Sequence, residues 1–159
     1  MKRRPYCYLP IIAIALAAAI SSSSATFGQA LDTCLAEGWP QNQIACLTDI
    51  AIEAGDLALC LRSGEPAVRW RCVAGYAEKA GDASPCGILP AGDLEVPGAA
   101  EDLCRVHLAI AWRKPALCAR LATPNLGDSC VLQLVQLGED EALCGRIENE
   151  SLADACREF

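Results

Sequence analysis

Hydrophobic and small side chains recur at a helical spacing around regularly placed cysteines. One residue beyond Cys46, Cys72, Cys104 and Cys130 stand Leu47, Val73, Arg105 and Val131; four beyond stand Ile50, Tyr76, Leu108 and Leu134; five beyond stand Ala51, Ala77, Ala109 and Val135. Positions i, i+1, i+4, i+5 and i+8 share one face of an α-helix, whereas a half-buried strand would alternate. Each of these cysteines is therefore expected on a helix. Pro40, Pro66 and Pro124 lie six residues before theirs, and Pro97 seven before Cys104. Proline fits the first helical turn, where its missing N–H has no partner to lose. The pattern predicts long helices over Pro40–Ala54, Pro66–Ala80, Pro97–Arg113 and Pro124–Leu137, with a truncated fifth from Ser151. Gly55 and Gly81 end the first two. Asp56 and Asp82 suit the N-caps of shorter helices carrying Cys60 and Cys86, Pro115 and Asp140 open the later ones, and Gly38 and Gly64 close the early ones.

The cysteine spacing turns this alternation into a repeat. Cys34, Cys46, Cys60, Cys72, Cys86, Cys104, Cys118, Cys130, Cys144 and Cys156 are separated by 12, 14, 12, 14, 18, 14, 12, 14 and 12 residues. Two cysteines thus fall in each unit of 26 residues, and the 18-residue step is a 12-residue step carrying six more. Across the turn from short to long helix, paired cysteines differ in height by only ~3 Å; across the opposite turn the mismatch is ~6 Å, near the limit of a disulfide. The second scheme also strands Cys34 and Cys156. The expected pairs are Cys34–Cys46, Cys60–Cys72, Cys86–Cys104, Cys118–Cys130 and Cys144–Cys156. The fold expected is all-α: five disulfide-stapled tandem α-hairpins stacked as a short right-handed solenoid or compact array. This plan resembles the helical-hairpin repeats of tetratricopeptide and Sel1-like proteins in architecture, without their residue patterns.

The N-terminus and the charge place the chain. Lys2, Arg3 and Arg4 precede an apolar run from Leu9 to Ile20 and then small residues, the layout of a removable secretory leader. The run is too short to span a bilayer, which takes about 20 apolar residues. Small residues suit cleavage after Ala25 or after Ala30, the second being favoured, with residues 31–159 as one domain. Cys7 leaves with the leader, and the ten cysteines that remain point to an oxidising compartment, periplasmic or extracellular. The leader carries three of the 13 basic and none of the 20 acidic residues, so the mature net charge is −10. Such a surface repels nucleic acid and anionic lipid, and favours a protein or peptide partner of cationic character.

Little in the chain suggests chemistry. His107, the sole histidine, occupies a slot filled elsewhere by Asp49, Gly75 and Gln133, with no nucleophile or orienting group assigned to it. No cofactor, metal site or catalytic residue is expected: C-x-x-C is absent, and Asp93, Glu95, Glu101 and Asp102 lack the spacing of a calcium loop. The candidate interaction residues are Trp39, Arg69, Trp70, Arg71 and Trp112, since tryptophan and arginine are common interface anchors. The insertion near 87–97 is expected to form a loop, with the Trp112 indole filling space that the longer loop opens; the alternative is that loop and Trp112 form a joint recognition patch. The slot two residues before each long-helix cysteine, holding Ile44, Trp70, Asp102, Asp128 and Asp154, is expected to be peripheral. Arg62, Arg120 and Arg146 are expected to pair with its Trp70, Asp128 and Asp154. The function expected is an exported interaction or scaffold module without catalysis. The alternatives are a small secreted enzyme or inhibitor-like effector using residues 87–103 and His107, and a purely structural envelope protein.

Overall fold

The computed structural model describes residues 27–159, and all regular elements among them are helical. The basic and apolar parts of the expected leader, with Cys7, lie outside the described residues. Helix α1 covers residues 27–35, α2 Pro40–Ala54, α3 Pro66–Ala80, α4 Ala99–Trp112, α5 Pro115–Cys118, α6 Pro124–Gln136 and α7 Glu150–Cys156. Between them run 3₁₀ turns at Leu57–Arg62, Ser84–Ile88 and Glu141–Arg146. The short pieces are therefore mostly 3₁₀ rather than α, because five or six residues closed by a cap complete i→i+3 bonds more readily than an α-helical nucleus. The first short piece is longer than expected and reaches back beyond Ala30.

Helices α2 and α3 start on Pro40 and Pro66 and end at Gly55 and Gly81, whose φ of 62° and 70° lies in the left-handed region. Asp56 and Asp140 cap the 3₁₀ turns through Ala58 N–H and Ala142 N–H. Asp82 accepts from the amide and hydroxyl of Ser84, and these bonds hold its carboxyl below the usual carboxylate range. Helix α4 departs from expectation. Pro97 lies outside it, Gly98 at φ 80° is its N-cap, and Ala99 is its first residue. The inserted segment closes on itself through Gly98 N–H to Ala91 O and Ala99 N–H to Val96 O, so the chain must reverse at Gly98 before helix can begin. The other end of α4 has Arg113 at φ 51°, where the first two long helices have glycine.

All five expected disulfides are present, with Cα–Cα separations of 5.4 to 5.7 Å. They belong to the core rather than decorating it: Cys60, Cys72, Cys86, Cys104, Cys130 and Cys156 are fully buried. Around them pack the residues of the helical stripe. Leu47, Ala51, Val73, Ala77, Leu108, Ala109 and Leu134 are inaccessible to solvent, while Tyr76 is half-buried and Arg105 turns outward to Glu101. With so many alanines in this layer, the cystines supply much of the interior volume. One group of core residues runs from Leu31 to Leu108 and a second from Ala109 to Cys156, both drawing on α4. No helix among the described residues is long and apolar enough to cross a membrane. Five disulfides fit an oxidising compartment.

Candidate interaction site

Buried aspartates set the N-terminal ends of the later long helices side by side. Asp102, in the first turn of α4, accepts from Ala122 N–H at 3.2 Å and Thr123 N–H at 2.8 Å, at the entrance to α6. Asp128, early in α6, accepts from Glu148 N–H at 3.0 Å and Asn149 N–H at 2.9 Å, at the entrance to α7. Each carboxylate caps the entrance of the following helix from its neighbour, accepting from the amides of that helix's N-cap residue and of the residue before it. Both side chains are buried, at 1% and 7% exposure, so the peripheral position expected for this slot is corrected for them. Only Asp154 is exposed; it pairs with Arg157 at 2.7 Å. Accordingly Arg120 and Arg146 do not take the partners expected of them, and the cation over Trp70 is Arg71, 4.9 Å from the ring centroid, rather than Arg62. Geometry explains the change: the amides of Glu148 and Asn149 occupy the Asp128 carboxylate, and Arg157, one turn along the same helix, occupies Asp154.

Arg69, in the first turn of α3, reaches the insertion. Its Nε and Nη2 donate to the two oxygens of Asp93, both at 2.7 Å, and its Nη1 donates to Ser63 O at 2.8 Å. This fork holds the guanidinium above its ordinary pKa, against the burial that lowers it. Arg69 and Asp93 are 17% and 7% exposed, so the insertion is pinned to α3 rather than free. Arg69 is thereby an anchor of the loop and not an exposed contact. Beside it, Trp70 is half-buried against the core and Arg71 is exposed over the indole. The loop leaves Ile88 and Val96 exposed at 40% and 52%. Trp39, the N-cap of α2, is 72% exposed.

Trp112 is elsewhere. It ends α4 while the insertion precedes that helix, a separation of ~20 Å along the axis at 1.5 Å per residue. The joint patch of loop and Trp112 is corrected on that ground. Its ring packs against the core and carries Lys114 Nζ at 5.0 Å from its centroid. Three of the four acidic residues of the insertion region have separate partners. Asp93 binds Arg69, Glu101 binds Arg105, and Asp102 caps α6, so they do not converge on one point.

His107 faces Glu78 of α3, with Nε2 and Oε2 3.0 Å apart and both side chains 44% exposed. Every cysteine among the described residues is in a disulfide, which removes the thiol that a Cys–His pair would need. A hollow of about 200 Å³ is lined by Pro115, Leu121, Gly127, Val131 and Arg146 among others, and by neither His107 nor the insertion. Sequence reasoning missed Asp102 and Asp128. The recurrence of aspartate in one slot of three successive units was the available signal, but nothing in the sequence says that the slot turns inward. No protein-family model matches the chain, and comparison with characterised proteins and with solved structures finds no match.

Proposed function

We propose that the chain is an exported, non-catalytic interaction module. In this reading its disulfide-stapled hairpins stack as a tandem array of 26-residue units, and it acts by surface contact through the insertion edge. The observation that carries the proposal is the Arg69–Asp93 fork. It pins a loop bearing exposed Ile88 and Val96 to α3, the helix that also carries Trp70 and Arg71, and a pre-organised loop loses little entropy on binding. The mature net charge of −10 supports a partner that is a protein or peptide with basic residues around an apolar contact. The leader-like N-terminus and the disulfides support the periplasm or the extracellular space as the place of action.

The test is affinity capture from envelope and culture-medium fractions with the oxidised protein as bait, run beside Val96→Asp and a loop excision of residues 91–96. One partner retained by the parent and lost by both variants is the expected outcome. Equal retention by the loop-excised form overturns the assignment of this edge. Capture of no partner, together with a measurable turnover, overturns the module itself.

A further inference from the structure

The first helix shows where a leader would have to end. Phe27, Leu31, Cys34 and Leu35 follow one another at i, i+4, i+7 and i+8, the apolar stripe of a helix. Leu31 and Cys34 are 7% and 1% exposed, and Phe27 and Leu35 pack against the same core. Thr33 Oγ1 donates to Gln29 O at 2.9 Å, four residues back, so the turn before Leu31 is tied to the turn after it. Residues 27–30 are thus part of the domain. Two junctions have the small residues that a leader peptidase accepts, Ser23 and Ala25 for one and Gly28 and Ala30 for the other. Cutting after Ala30 would remove the first turn of the helix and with it the contact of Phe27 with the core.

We infer that the mature protein begins at Thr26, an envelope leader peptidase hydrolysing the Ala25–Thr26 bond. Water adds across this amide, leaving a carboxylate on Ala25 and an ammonium on Thr26. The inference rests on the export reading above and adds to it the position of the cut. Cleavage here keeps residues 27–35 and the contact of Phe27 with the core.

The experiment expresses the full chain in an exporting bacterial host and sequences the N-terminus of the exported product, alone and with Ala25→Leu and Ala30→Leu. A start at Thr26, blocked or displaced by Ala25→Leu and untouched by Ala30→Leu, is expected. A start at Leu31 overturns the inference while leaving export intact. A chain retained in the cytosol with Met1 in place overturns the export reading, and the inference with it. Chains 26–159 and 31–159, refolded under oxidising conditions, supply a second readout: the shorter should melt at least about 5 °C lower, and equal melting removes the structural reason for the cut.

Discussion

Asp102, Asp128 and Asp154 occupy one slot in three successive units, and their surroundings divide them. Asp102 and Asp128 each hold two backbone N–H groups of the following turn. Truncating either to alanine strands those donors in a buried place, at an expected cost of about 2–4 kcal/mol. Asparagine at Asp102 keeps one acceptor oxygen and should cost about 1–2 kcal/mol. Asp154→Ala, at an exposed site, should stay within about 0.5 kcal/mol of the parent. Chemical denaturation midpoints of the four variants check this, and equal losses at all three aspartates would show that helix propensity, not the cross-helix cap, sets the effect. That these residues cap a neighbour could not be read from the chain, because the bond spans 20 or 21 residues and depends on which way the slot faces.

At the scale of elements, α2 and α3 were legible to the residue because proline at the start and glycine past the end both act locally. Helix α4 was legible in its apolar face but not in its start. The six extra residues form a turn whose shape depends on Gly98 and on the distant Arg69. That fork makes the insertion a separable element. Arg69→Ala should raise amide hydrogen exchange across residues 91–98 by at least about 10-fold while protection in α3 and in the rest of α4 persists. Asp93→Asn should move the same amides in the same direction, more weakly, since its carbonyl still accepts from the guanidinium. Unchanged exchange in both would mean that the loop's own turn bonds hold it. The same substitutions should weaken partner capture by loosening the patch, without altering the disulfides.

For the whole molecule, covalent ties and a thin core act together. The 12-residue steps close loops for which the chain-entropy model gives roughly 3 kcal/mol each. Net stabilities of domains lie near 5–15 kcal/mol, so the five bridges together are comparable with the entire margin. Replacing Cys118 and Cys130 together by serine should therefore cost about 2–5 kcal/mol, and full reduction at 37 °C should abolish most of the far-ultraviolet helical signal. Retention of that signal after reduction would show that the alanine-rich packing suffices alone. The sequence by itself determined the helical class, the position of the long helices and the pairing of all ten cysteines. Those follow from local periodicity, from caps, and from a spacing that matches cysteine heights better in one of the two neighbouring pairing schemes. Tertiary structure alone decided that Asp102 and Asp128 turn inward, that Arg69 reaches Asp93 across 24 residues, that Trp112 stands apart from the insertion, and that Phe27 packs on the same core as Leu31. Each of these depends on how separate segments meet in space, and no local pattern of residue types carries that information.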